Sequence, residues 1–165
     1  MSIVPTNINY NILRQNLNSL VRTFPFLNVQ SVGLSVLKKN IYVIKLGKGT
    51  KKVFYSASIH ANEWITSVVL MKFVEDYANA YVQNGKLYNY SVRDLFNNVS
   101  IFIMPMVNPD GVDLVTGNIL PSSSAYNQAK SIANNYPDIP FPSGWKANIR
   151  GVDLNLQFPA RMGTS

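Results

Sequence analysis

The 165 residues contain a single histidine, His60, and only two glutamates, Glu63 and Glu75. His60 and Glu63 stand as His-x-x-Glu within Ser58-Ile59-His60-Ala61-Asn62-Glu63-Trp64-Ile65-Thr66, where an apolar run gives way to helical spacing. A strand-to-helix corner can aim an imidazole and a carboxylate at one point, and Zn²⁺ takes nitrogen and oxygen ligands at about 2.0–2.2 Å. Open α/β sheets place their sites at such corners. Spacing alone favours a plainer reading: a surface histidine and an acid near a helix N-terminus, where it suits the macrodipole. Glu75 falls three turns along the same helix and reads as a solvated residue paired locally. Asp110 and Asp153 read as turn and backbone-organising residues. A mechanism that needs two histidines cannot draw both from this chain.

The elements that must position these residues follow from hydrophobic spacing. Tyr10, Leu13, Leu17, Leu20, Val21 and Phe24 predict an amphipathic helix that stops before Pro25. Strand-like runs from Val29 to Val36 and from Ile41 to Leu46 flank Leu37-Lys38-Lys39-Asn40, a hairpin turn. After a turn at Gly47-Lys48-Gly49-Thr50, Val53 to Ile59 predicts a buried strand running into His60. Trp64, Val68, Met71, Val74, Ala78 and Tyr81 share a broad helical face between Glu63 and Val82. Tyr42, Phe54, Tyr55, Phe73, Tyr77 and Phe102 are assigned to core faces. Ser100 to Val107 predicts a second buried strand, ending in a tight turn at Asn108-Pro109-Asp110-Gly111. Residues 112–148 read as loop around a serine-capped helix near Ser124–Asn134, and Gly151 to Asn155 as a short strand. Strand, helix, strand is the grammar of an α/β sheet.

Composition narrows the field. With 47% hydrophobic and 14% charged residues the chain can bury a core, which excludes a disordered or acidic tail. Fifteen Lys and Arg against eight Asp and Glu give a net charge of +7, suited to anionic partners such as acidic peptides or cell-wall polymers. The basic residues are scattered, with no stripe of interleaved aromatics, so nucleic acid is not expected. No cysteine is present, which excludes disulfides and thiolate metal ligation. No apolar run reaches the length of a membrane span, and the start Met1-Ser2-Ile3-Val4-Pro5 does not read as a signal peptide. A cytoplasmic location is the expectation.

Three segments in order carry a resemblance. Ile59-His60-Ala61-Asn62-Glu63-Trp64-Ile65-Thr66 resembles the first metal-ligand motif of the zinc carboxypeptidase (carboxypeptidase A-like) family. Pro105-Met106-Val107-Asn108-Pro109-Asp110-Gly111-Val112 is similar to that family's strand and turn. The stretch from Trp145 to Pro159 is similar to its substrate-binding segment, in wording nearest a bacterial branch that resembles γ-D-glutamyl-diaminopimelate peptidases, which cut cell-wall stem peptides. The resemblance implies His60 and Glu63 as two of three protein ligands of a zinc ion. It implies Asn155 at the terminal carboxylate of the substrate. Lys146 stands where many members carry an arginine that polarises the scissile carbonyl; it supplies charge without a planar fork, and a solvated loop lysine is the alternative. Leu156 stands where typical members grip the carboxylate with arginine, so the bidentate clamp is lost. Arg150 either meets a substrate carboxylate or pairs with Asp153.

In the resembled family a second histidine ligand and a general-base glutamate come later than the Asn155 segment. Residues 1–165 are therefore expected to form a truncated catalytic domain. Its fold would be α/β, a partial mixed β-sheet flanked by helices, corresponding to the N-terminal half of an eight-stranded sheet. The expected function is zinc-dependent hydrolysis of cell-wall peptides such as γ-D-glutamyl-diaminopimelate bonds, with zinc as Lewis acid and a glutamate as base. Two alternatives stand beside it: an inactive remnant that binds only peptide or a partner, and a basic binding module without metal. The strands ending at His60, Val107 and Asn155 are expected in one sheet, with His60, Glu63, Lys146 and Asn155 at one edge. An exposed apolar sheet edge is expected to drive self-association.

Overall fold

Helix α1 (Tyr10–Thr23) begins where Asn9 caps it, its side chain accepting from the Ile12 N–H at 2.9 Å. It buries Tyr10, Leu13, Leu17 and Leu20 of the predicted stripe, with Phe24 buried just beyond it, whereas Val21 is exposed. The computed structural model describes residues 7–158; the readings made for residues 1–5 and 159–165 lie outside the described residues. After α1 come β1 (Asn28–Leu34) and β2 (Asn40–Leu46), then β3 (Lys51–Ser56), a 3₁₀ turn (Ala61–Glu63) and α2 (Ile65–Val82). A small ribbon of β4 (Lys86–Leu87) and β5 (Tyr90–Ser91) leads into α3 (Val92–Asn98) and β6 (Val99–Met104). The chain closes with α4 (Pro109–Val115), α5 (Ser124–Ala133) and a second 3₁₀ turn (Leu154–Leu156).

Four strands form one mixed sheet in the order β1-β2-β6-β3. β1 and β2 are an antiparallel hairpin, β2 and β6 pair antiparallel, and β3 and β6 pair parallel. The main core lies where α1 and α2 cover this sheet: Leu13 and Leu17 of α1, Met71 and Val74 of α2, and Ile44, Leu46 and Ile103 of the strands are all buried in it. A smaller cluster gathers Leu114, Ala129, Trp145 and Ile149 with Ala61, so the second core begins at the residue after His60.

Two carboxylates on α4 tie the hairpin and α1 to this second half. Asp110 Oδ1 accepts from Ser35 Oγ at 3.0 Å, and Oδ2 accepts from the Leu37 N–H at 2.9 Å. Asp113 Oδ1 accepts from the Tyr10 N–H at 2.8 Å. Lys39 Nζ bridges both acids, 3.2 Å from Asp110 and 2.6 Å from Asp113. Removing one partner of such a buried pair costs about 3–5 kcal/mol, because a charge is left without compensation.

Several expectations need correction. β3 is not buried. Among the described residues it is the outer strand, paired only with β6, and Phe54 and Tyr55 are 56% and 47% exposed. An apolar run specifies a strand but not how many neighbours it has. Asn108-Pro109-Asp110-Gly111 is the start of α4 rather than an isolated turn, with Asn108 as cap and Pro109 in the first helical turn. Glu75 is buried rather than solvated, with Lys72 Nζ 3.4 Å from its carboxylate.

Two outcomes follow from these placements. Among the described residues the outer edge of β3 is unpaired; self-association through it is the expected outcome, and Phe54→Lys, which puts a charge on that strand, is expected to shift the sedimentation profile toward monomer. The Tyr77 hydroxyl is buried with no hydrogen-bond partner among the described residues, and burial pushes its pKa up to about 12 from an ordinary value of 10.0. Tyr77→Phe removes an unsatisfied hydroxyl and raises stability by about 1–3 kcal/mol in urea unfolding. The native state holds this proton more tightly than the unfolded chain, so Tyr77 costs the wild type stability as pH rises from about 10 toward 12. The variant's stability stays flatter across that window.

Candidate active site

Because β3 and β6 are parallel, the chain leaves both strands at the same end of the sheet. Beyond the strands the pairing continues: the Ala57 N–H donates to Met104 O, the Val107 N–H to Ala57 O and the Asn108 N–H to Ser58 O, at 3.0, 3.0 and 3.1 Å. Ser58 then adopts φ 49°, a left-handed conformation unfavourable for a residue with a side chain. Its neighbours hold it there. The Ser58 N–H donates to Thr66 Oγ1 at 2.9 Å, Ser58 Oγ lies 2.6 Å from Ser67 Oγ, and Thr66 Oγ1 donates to Glu63 O at 2.7 Å. This kink turns Ile59 and His60 across the end of the sheet and into the Ala61–Glu63 turn.

Asn108 binds three segments with one buried side chain. Its Oδ1 accepts from the Gly111 N–H at 3.1 Å, and its Nδ2 donates to Ile59 O at 3.3 Å and to Ala147 O at 3.0 Å. The Ala61 N–H donates to Lys146 O at 2.9 Å. The residue before His60 and the residue after Lys146 are thereby fixed to the start of α4, and Ala61 to Lys146 itself. Gly111 permits this approach: a Cβ there would stand 2.7 Å from Ala61 Cβ and 2.8 Å from Ala147 O.

Asn148 organises the next turn. Its Oδ1 accepts from the N–H groups of Arg150 and Val152 at 2.9 and 3.1 Å, and Gly151 takes φ 82°. The chain returns to Asp153, whose Oδ1 accepts from the Asn155 N–H at 2.9 Å and lies 3.3 Å from His60 Nε2. His60 Nδ1 lies 3.0 Å from Glu63 Oε1. The imidazole is held between two carboxylates.

This arrangement can be tested against zinc. Two ligands of a tetrahedral ion at 2.0–2.2 Å stand about 3.3–3.6 Å apart, and the 3.0 Å between His60 Nδ1 and Glu63 Oε1 is near that range. A metal-bound imidazole commonly keeps a carboxylate at its other nitrogen, the position of Asp153. His60 and Glu63 fit as two members of a ligand set. Among the described residues, no group of three or more His, Cys, Asp or Glu is arranged to hold a metal ion.

Of the residues singled out in the sequence, His60, Glu63 and the backbone of Lys146 come together. Lys146 is exposed and lines a cavity of about 550 Å³ whose wall also includes Asn62 and Asp153. Asn155 is exposed in the Leu154–Leu156 turn, two residues past Asp153. Gly151 to Asn155 is not a strand: the Asn148 turn and the Asp153 cap replace ladder bonds with local ones. The expected convergence of three strands is thus two strands and a loop. Arg150 is exposed, and among the described residues Asp153 pairs with His60 rather than with it. Asn108 and Asn148 were missed as organisers. Asn108 stands directly before proline and Asn148 three residues before Gly151, the turn chemistry that marks them.

Residues 13–165 match the family described as zinc carboxypeptidase. The chain belongs to the zinc carboxypeptidase family. A gamma-D-glutamyl-L-diamino acid endopeptidase 1 from Lysinibacillus sphaericus is 42% identical over 155 residues, 94% of this chain and 38% of that protein. A carboxypeptidase B from Astacus astacus is 35% identical over 107 residues, 62% of this chain and 33% of that protein. The fold is shared with a putative carboxypeptidase A from Shewanella denitrificans, at TM-score 0.61 and 15% identity, over 92% of this chain and 32% of that one. This zinc carboxypeptidase-family chain therefore spans well under half the length of these relatives.

Gly111→Ala is expected to cost about 1–3 kcal/mol, the range for overpacking a tight contact. It should also shift the His60 ring resonances in NMR spectra. Gly33→Ala, where a Cβ meets nothing within 4 Å, serves as the control and leaves both nearly unchanged.

Proposed function

We propose that this chain carries the first zinc-binding motif and part of the substrate cleft of a metallopeptidase that cleaves γ-D-glutamyl–diamino acid bonds in cell-wall peptides. The observation that carries the reading is the placing of His60 Nδ1 and Glu63 Oε1 3.0 Å apart, with Asp153 behind the ring. The 42% identity to the Lysinibacillus endopeptidase supports the substrate class, and the net charge of +7 suits an anionic peptide.

His60 and Glu63 would hold the ion, which when bound supplies Lewis acidity toward a peptide carbonyl. Asp153 orients the imidazole and favours the tautomer with its proton on Nε2, leaving Nδ1 as the donor atom. Lys146 offers a positive charge at the cleft where negative charge develops on a carbonyl oxygen. Asn155 offers an amide to the leaving side of the substrate. Leu156 offers no clamp for a terminal carboxylate, which suits cleavage within a chain rather than at its end.

A second reading rests on the absence, among the described residues, of a third ligand beside His60 and Glu63. On that reading the 165-residue chain binds zinc weakly and retains peptide without turning it over. Calorimetric titration with Zn²⁺ and an assay of γ-D-glutamyl-diaminopimelate cleavage separate the two. Weak zinc binding that His60→Ala or Glu63→Gln abolishes is expected of either. Turnover by the wild type that is lost in both variants supports the peptidase, and zinc binding without turnover supports the remnant. Undiminished zinc binding in both variants refutes the ligand assignment.

A further inference from the structure

Between the exit of β3 and the start of α2 lies a cluster of three hydroxyls, Ser58, Thr66 and Ser67, to which the proposed function gives no role. Ser58 and Ser67 are buried, whereas Thr66 is exposed. Thr66 Oγ1 donates to Glu63 O at 2.7 Å, a back-bond that threonine often makes in a helix. Its other bond is not local to the helix: the same oxygen accepts from the Ser58 N–H at 2.9 Å, eight residues back along the chain. Ser58 Oγ also donates to Glu63 O, at 3.3 Å, and with that proton committed it accepts from Ser67 Oγ at 2.6 Å. Within the turn, the Glu63 N–H donates to His60 O at 3.2 Å. Thr66 thus closes the segment from Ser58 to Glu63 into a ring, and both candidate ligands lie on it.

Ser58 is the strained member of that ring. At φ 49° it stands where a residue with a side chain is disfavoured. Such a conformation persists only where the surroundings over-determine it. Its carbonyl accepts from the Asn108 N–H at 3.1 Å, which ties the corner to α4. Its N–H goes to Thr66, which ties the corner to the backbone of Glu63. A Ser58 released to the ordinary negative-φ regions would redirect the chain two residues ahead of His60, while Glu63 stays with the start of α2. The 3.0 Å separation of His60 Nδ1 and Glu63 Oε1 is exposed to exactly that change of direction.

We propose that Thr66 is a positioning residue for the metal ligands: its hydroxyl fixes the direction of the His60 corner relative to Glu63 and so prearranges the pair for zinc. This rests on the reading of His60 and Glu63 as zinc ligands. Thr66 acts through backbone groups, the Ser58 N–H and Glu63 O, and what it contributes is preorganisation, which sharpens binding by reducing what must be ordered when the ion arrives.

The test compares the wild type with Thr66→Val, which keeps the shape and removes the hydroxyl, and Thr66→Ser, which keeps the hydroxyl. Each 165-residue protein is titrated with Zn²⁺ by calorimetry, its His60 ring resonances are recorded by NMR without metal, and its urea midpoint is measured. Thr66→Val is expected to bind zinc about tenfold more weakly, the lower end of what groups supporting a ligand contribute, and to shift the metal-free ring resonances. Thr66→Ser should restore both to near the wild type. Thr66 is exposed, so the valine variant leaves the core intact and is expected to fold. A hydroxyl that only stabilises the helix start would lower the urea midpoint and leave zinc affinity and the ring resonances unchanged, and that result overturns the proposal. A serine variant as weak as the valine one overturns it too. Undiminished zinc binding in His60→Ala, or no zinc binding by the wild type, refutes the ligand reading instead, and the metal-free ring shifts then decide whether Thr66 positions the corner.

Discussion

One buried asparagine amide sets the geometry on which the candidate site depends. Asn108 sits at the exit of β6, caps α4, and donates to the carbonyls of Ile59 and Ala147. These carbonyls flank the two residues with the most to do, His60 and Lys146. The three segments are brought close enough for this only because residue 111 has no side chain, since a Cβ there would stand 2.5 Å from the Asn108 amide nitrogen. Parallel pairing of β3 with β6 provides the direction, and the asparagine provides the distance. A backbone corner held this way needs little from the His60 side chain itself, which is left to its two carboxylate neighbours.

The same helix that receives Asn108 is anchored at its other side by ions. Lys39 between Asp110 and Asp113 joins the hairpin turn to α4, and Asp113 also accepts from the first N–H of α1. Such a cluster contributes little net stability when complete, but it permits few alternatives, because any other placement leaves buried carboxylates without a cation. The N-terminal hairpin is thereby part of the support of the site.

The features legible in the sequence are those with a strong period or a strong local rule. The α1 stripe, the β1–β2 hairpin and the capped α5 were readable for that reason, and so was the strand-to-helix corner at His60. The features missed depend on tertiary neighbours. Val53 to Ile59 looks like a central strand, yet among the described residues only β6 flanks β3. Gly151 to Asn155 looks like a strand because Val152 and Leu154 alternate with polar residues, but a side chain four residues upstream captures its backbone first. Asn108-Pro109 serves equally as a turn and as a helix start, and the choice fell to the carbonyls around Asn108. Glu75 was misjudged although Met71 and Ala78, its neighbours at helical spacing, mark the buried face.

The parallel pairing of β3 with β6 also bears on how the chain reaches this state. Lys51 pairs with Val99 and Ser56 with Met104, so each ladder bond closes a loop that contains α2, the small ribbon and α3. Closing such a loop costs entropy before any contact repays it, and folds rich in such pairings assemble slowly. The β1–β2 hairpin, by contrast, closes across a five-residue turn and belongs to the fast events. His60 lies just beyond the slow pair, and Lys146 and Asp153 come later in the chain. Glu63 is a local partner, three residues away, but Asp153 reaches the imidazole only across a long stretch of chain, so an early collapsed chain would hold its core without yet possessing a complete site.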